Sequence, residues 1–82
     1  TPVQMLKDGA MLVDASLAVR DLNEDYSVDI PESNEYETLG GFLLSSLQRL
    51  PSVGDSYSTD KRRFTIASMK GRRILKVRID SP

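Results

Sequence analysis

The apolar positions of this chain change period several times, and each change predicts an element. Residues 3–7 and 10–14 are short, largely apolar runs on either side of Asp8-Gly9. Asp-Gly between two such runs predicts a hairpin with a type I′ turn, because both central residues of that turn need φ > 0. Ser16 is then placed to cap a two-turn helix from residue 17 or 18 to 25. Val19, Leu22 and Tyr26 recur at i, i+3 and i+7 on its inner face. Asp21, Glu24 and Asp25 fall off that face and crowd its C-terminal half, where they oppose the helix dipole. This helix therefore depends on packing.

Residues 27–34 read as a connector that plugs Val28 and Ile30 into the core, with Pro31 disfavouring helix at Ile30. Thr38 opens the second helix as an N-cap, with Glu35 and Glu37 placing negative charge before its start. Leu39, Leu43, Ser46, Leu47 and Leu50 form one face with Phe42 beside it, and Pro51 ends the run. Gly40 and Gly41 sit in the first turn, where each costs up to about 1 kcal/mol relative to alanine. Close packing of helix on sheet is the expected reason.

The last third reads as strands. Residues 55–59 form a short polar strand near an edge. Residues 62–69 form a second, with Phe64 and Ile66 on one face, and Lys70-Gly71 turns the chain. Residues 72–80 form the third, where Leu75, Val77 and Ile79 alternate with Lys76 and Arg78. Ile74 breaks the alternation and predicts a bulge near Arg73. The order β-β-α-α-β-β-β is that of an α+β domain, two helices on a largely antiparallel sheet of roughly five strands.

Eighty-two residues make one domain, 1–82. With no cysteine and no histidine, the chain has no disulfide and lacks the usual zinc donors. The absence of cysteine fits a reducing compartment. No apolar stretch approaches the roughly 20 residues of a membrane span. The chain opens at Thr1, as expected of a piece of a longer protein.

The net charge is −1, but it is unevenly spread. Residues 1–37 carry nine acids against Lys7 and Arg20, and residues 61–82 carry eight bases against Asp80. Such halves either face each other or present a basic surface to an anionic partner. Arg62, Arg63, Arg72 and Arg73 are the candidate interaction surface, read as flanking the turn of one hairpin. With no exposed aromatic residue interleaved among them and a negative net charge, they do not predict nucleic-acid binding.

Catalytic residues are not predicted. A serine such as Ser45 or Ser46 has no histidine to activate it. Asp21, Glu24 and Asp25 are the candidate metal-binding residues, since Mg²⁺ needs only one or two carboxylates plus water. Gly40 and Gly41 are the candidate cofactor-binding residues, at a helix start whose N–H groups favour phosphate. They match neither G-x-G-x-x-G nor a P-loop, so no cofactor is expected. A solvated acidic face and close packing are the plainer readings of the two sets.

Several pieces, taken in order, carry a resemblance. Asp8-Gly9 is followed by Leu12-Val13-Asp14, Leu22-Asn23 and Ile30-Pro31. Tyr36-Glu37-Thr38-Leu39-Gly40-Gly41 comes next, then Arg49-Leu50-Pro51 and Val53-Gly54-Asp55. Phe64-Thr65-Ile66, Met69, Gly71-Arg72-Arg73-Ile74 and Val77-Arg78-Ile79 complete it. Nearly the whole chain thus resembles the CorC/HlyC transporter-associated domain. Ala15 stands where that family usually has glycine, and Ala18 where proline often begins the first helix.

The resemblance implies a fold similar to a subdomain of PCMH-type FAD-binding proteins, without implying that flavin binds. It implies a non-catalytic regulatory or docking domain at the end of a bacterial ion transporter. The partners would be its transmembrane and CBS domains, on the cytoplasmic side of the membrane; the basic hairpin and acidic first half by themselves suit docking or weak homodimerisation. The transported ion would be magnesium, cobalt or another cation. The alternative is a sensor of a small molecule, such as an adenine nucleotide or FAD, at Gly40-Gly41.

Overall fold

In the computed structural model, which describes residues 2–81, the elements follow the expected order. Strands β1 (Val3–Met5) and β2 (Met11–Asp14) precede helices α1 (Val19–Tyr26) and α2 (Leu39–Leu47). Strands β3 (Ser56–Ser58), β4 (Arg63–Lys70) and β5 (Arg73–Asp80) follow. They form one antiparallel sheet in the order β1-β2-β5-β4-β3. The last strand thus docks between β2 and β4 and joins the early and late strands into one open sheet.

Register explains which face is apolar. Met5, Met11, Ile79, Phe64 and Tyr57 are successive cross-strand partners, as are Val3, Val13, Val77 and Ile66. Cross-strand partners share a face, so these two rows form the floor on which the helices rest. Val19 and Leu22 of α1 and Leu39, Phe42 and Leu43 of α2 are buried against it. Val28 and Ile30 fill the gap between them, as expected. Phe42 meets the rings of Tyr36, Phe64 and Tyr57 edge-on, with centroids 5.3–5.8 Å apart. The intervening row, Gln4, Leu12, Arg78, Thr65 and Ser56, lies on the opposite face, which no helix covers.

Several local expectations change. The first hairpin does not use a type I′ turn. Only Gly9 has positive φ (+88°), and Gly9 N–H donates to Leu6 C=O. This is a turn over Leu6–Gly9 followed by a left-handed glycine, and it leaves a longer loop. Ser16 does not cap α1. Its N–H and its hydroxyl both donate to the Asp14 carboxylate (2.9 and 2.8 Å). The residue before the helix is Ala18, which has no side chain to offer. Tyr26 is 40% exposed, because the chain turns away at Ser27 in the left-handed conformation.

α2 stops at Leu47, and Gln48 takes a left-handed turn. Leu50 is therefore not on the helix and stands 73% exposed. The bulge expected near Arg73 falls at Leu75, and a second irregularity lies at Ala67 on the facing strand. Pairing passes from Ile66↔Val77 to Ser68↔Lys76 and then to Met69↔Ile74. One unpaired residue on each strand restores Ile74, not Leu75, to the core face. The freed Leu75 carbonyl accepts the Ala15 N–H (3.0 Å), so the bulge anchors the exit of β2.

Candidate interaction surfaces

The starts of the two helices are stitched together. Ala18 and Thr38 form an isolated antiparallel bridge. Val19 N–H donates to Glu37 C=O (2.8 Å), and Leu39 N–H donates to Leu17 C=O (2.9 Å). Backbone from the other helix's entrance therefore satisfies donors that a capping side chain would otherwise have to serve.

This stitching decides what Gly40-Gly41 can offer. Gly40 N–H donates to Ala15 C=O (2.9 Å), Gly41 N–H to Thr38 Oγ1 (3.1 Å) and Phe42 N–H to Thr38 C=O (2.9 Å). With Leu39, all four first-turn donors are engaged within the chain, and none points at an unfilled anion position. A side chain on Gly40 would meet the Ala15 Cβ and carbonyl at 3.4 Å. One on Gly41 would meet Tyr36 Cβ at 3.2 Å and Thr38 Oγ1 at 3.3 Å. The close approach is to the segments that enter the helix, not to the floor of the sheet. A shallow depression of about 290 Å³ adjoins the two glycines, rimmed by Thr38, Leu44, Arg72 and Arg73.

The acids of α1 do not gather. Among the described residues, no group of three or more acidic side chains is placed to share a metal ion. Asp21 lines an open groove of about 700 Å³ with Glu32 and Glu37, together with Arg20. Glu24 and Asp25 lie outside its lining. Ser45 Oγ reaches the Glu35 carboxylate only at 3.4 Å, and a carboxylate at that distance does not make an activated nucleophile.

The four arginines do not flank one turn. Arg63 pairs with Asp80 at the start of β4, while Lys70 pairs with Arg73 at the turn. Eight-residue strands at about 3.3 Å per residue put Arg62 and Arg63 on the order of 25 Å from Arg72 and Arg73. Arg62 Nη2 donates to Ser27 C=O (3.3 Å), tying β4 to the end of α1, and its Nε is buried without a partner. Only Arg72 and Arg73 stand at the tip.

Much of the charge asymmetry is settled internally. Arg78 bonds Asp8 across the sheet face and reaches Asp80 at 3.4 Å. Lys76 lies 3.9 Å from Asp14, and Lys61 lies 3.1 Å from Asp29. The Ala10 N–H, and then the Arg78 guanidinium, hold the Asp8 carboxyl below its ordinary value. Hydrogen bonds from the Ser16 N–H and hydroxyl do the same for Asp14, with help from Lys76 and Arg73. Burial, with the nearby Glu35 charge, pushes the Tyr36 phenol up; its hydroxyl donates to Pro31 C=O.

One structural residue escaped the sequence reading. The Asn23 side-chain amide donates to Ile30 C=O and accepts from Ile30 N–H, both at 2.8 Å. It thus satisfies both backbone groups of a buried residue in an irregular segment, where no strand is available to do so. Asn23 sits off the apolar stripe of α1, so periodicity could not mark it. The only trace was its presence, with Ile30, in the motif order quoted above.

A five-stranded antiparallel sheet with two helices on one face defines a small α+β module. No helix among the described residues is long and apolar enough to cross a membrane. Residues 4–82 match the family described as the transporter associated domain CorC_HlyC, and the chain belongs to it. It is 34% identical over 79 residues to the polyamine export protein of Escherichia coli K12, covering 93% of this chain and 17% of that protein. It is 29% identical over 70 residues to the magnesium and cobalt efflux protein CorC of the same strain, covering 85% of this chain and 24% of that protein. The chain thus spans about a fifth of the length of these relatives. Among solved structures, the transporter associated domain of a CBS domain protein from Porphyromonas gingivalis is 30% identical, with a TM-score of 0.82. That match covers 99% of this chain and 98% of that one.

Proposed function

We propose that the domain is a non-catalytic regulatory or docking domain of an ion transporter and modulates the movement of Mg²⁺, Co²⁺ or another cation. The observation that supports the reading most is that a complete, self-contained fold corresponds to only 17–24% of its efflux relatives. A unit that closes its own core leaves an ion path to the rest of such a chain. Residues 1–82 then form a single module at the end of a parent transporter, on the cytoplasmic side, with its CBS and transmembrane domains as partners.

The test is to delete residues 1–82 from the parent and measure cation efflux in vesicles. Altered rate or altered response to substrate concentration, with the ion selectivity kept, is the expected result. Unchanged transport under every condition, or loss of selectivity, overturns the reading. Calorimetric titration of the 82-residue chain with Mg²⁺, Co²⁺, adenine nucleotides and FAD tests the sensor alternative. Binding near 1 μM, about −8 kcal/mol, would establish that alternative in place of docking alone. The fully engaged N–H groups at Gly40-Gly41 argue against a phosphate there.

A further inference from the structure

Two surfaces of opposite excess charge lie side by side where the helices begin. On one side of the Ala18–Thr38 bridge is the acidic groove, lined by Asp21, Glu32 and Glu37; Arg20 within it lies 3.7 Å from Glu32. On the other side is the depression rimmed by Arg72 and Arg73, which Asp14, already paired with Lys76 and bonded by Ser16, also lines. Lys70, the cross-strand partner of Arg73, stands at the same tip. Leu44, an apolar side chain 46% exposed, lies beside the arginines. The ions of the open sheet face neutralise one another. By contrast, Lys70, Arg72, Arg73, Asp21 and Glu37 have no ion-pair partner among the described residues.

We propose that this end of the domain is a self-complementary contact between two copies of the chain. A two-fold axis near the Ala18–Thr38 bridge seats the hairpin tip of each copy on the acidic groove of the other. The bipolar pattern favours this occupant. A surface of one sign, such as an anionic membrane, attracts the tip but repels the groove next to it. A second copy turned about the bridge satisfies both, and an isologous contact makes every such pairing twice. Charges at a rim set orientation and encounter more than affinity, so the dimer is weak, salt-sensitive and strengthened when a parent chain brings two domains together. The inference is independent of the transport reading, because it concerns the 82-residue chain alone.

The test is sedimentation equilibrium of that chain at up to about 1 mM, in low salt and again at about 0.5 M salt, where the screening length falls to a few ångströms. A dimer that dissociates in high salt is expected. The pair R72E/R73E and the pair D21K/E37K are each expected to weaken it by about tenfold or more, with circular dichroism showing the fold intact. Mixing the two variants is expected to restore a dimer, since one contact carries reversed charges and the other the original ones. A monomer at every concentration overturns the proposal, as does failure of the mixture to associate. Growth beyond the dimer overturns the two-fold arrangement. Binding of the tip to phosphatidylserine vesicles, lost in R72E/R73E, in a chain that stays monomeric would assign this surface to membrane instead.

Discussion

The two helices begin one bridge apart and are held by different means. α2 carries its own start signal: Thr38 Oγ1 accepts the Gly41 N–H, and extended backbone at Thr38 turns the chain into the helix. α1 carries none. Its preceding residue is Ala18, and its first donor is satisfied by Glu37 from the entrance of α2. The C-terminal ends differ as well. Both end on a left-handed residue, Ser27 in α1 and Gln48 in α2, but the chain leaving α1 is also fixed by the Asn23 amide clasping Ile30. A helix with acids crowding its C-terminal half is weak in isolation. It persists here because its beginning and the chain beyond its end are bonded to other segments. Both helix starts share the stitching, but the more apolar helix adds a side-chain cap of its own, and the acidic one relies on its surroundings alone.

The sharpest way to break that difference is at Asn23. Asn23→Ala leaves the Ile30 N–H and C=O buried without partners, and should destabilise by about 1–3 kcal/mol. Urea denaturation followed by circular dichroism would measure it; a loss below about 0.5 kcal/mol would mean water replaces the clasp. Asn23→Asp keeps the acceptor but turns a carboxylate oxygen toward the Ile30 carbonyl, so at neutral pH it should cost at least as much as the alanine.

Next comes the cap. Thr38→Ala should cost about 1 kcal/mol, whereas Ser16→Ala should not produce a cap-sized loss, since Ser16 serves the Asp14 turn and not the helix. Equal losses in the two variants would show that α1 draws on a side chain after all.

The glycines divide in a smaller range. Gly41→Ala places a methyl at 3.2–3.3 Å from Tyr36 and Thr38 and should lower the melting temperature. Gly40→Ala meets Ala15 at 3.4 Å, ordinary contact, so the gain in helix propensity of under about 1 kcal/mol should win. The reverse order of melting temperatures would mean that Ala15 cannot yield and that the Tyr36 side can.

The smallest effect concerns acid. Asp8 and Asp14 titrate lower in the fold than their ordinary value of 3.8. Their contribution is therefore complete above that value and is lost as pH falls from it through the lower folded values. Because both carboxylates reach solvent, the change is modest. Asp8→Asn should flatten the decline of melting temperature between about pH 4 and pH 2; an unaltered slope would assign the acid sensitivity elsewhere.

By itself the sequence determined the element order, the α+β class and most of the core, because period-2 and period-3.6 patterns record which side of an element meets water. The Thr38 cap was legible for the same reason: a cap acts within three residues of its own helix. What only the tertiary structure decided were contacts between residues remote in sequence. The Ala18–Thr38 bridge joins positions twenty apart, so no local signal showed that Glu37 rather than Ser16 would satisfy the first donor of α1. The paired bulges at Ala67 and Leu75 depend on what Ala15 needs from the neighbouring strand, and so appeared in the sequence only as a broken alternation at Ile74. The four arginines looked like one surface because two pairs of basic residues bracket a strand and its turn. An eight-residue strand has length, and that length carries Arg62 and Arg63 to the far end of the sheet, leaving Arg72 and Arg73 at the tip beside the stitched helix starts.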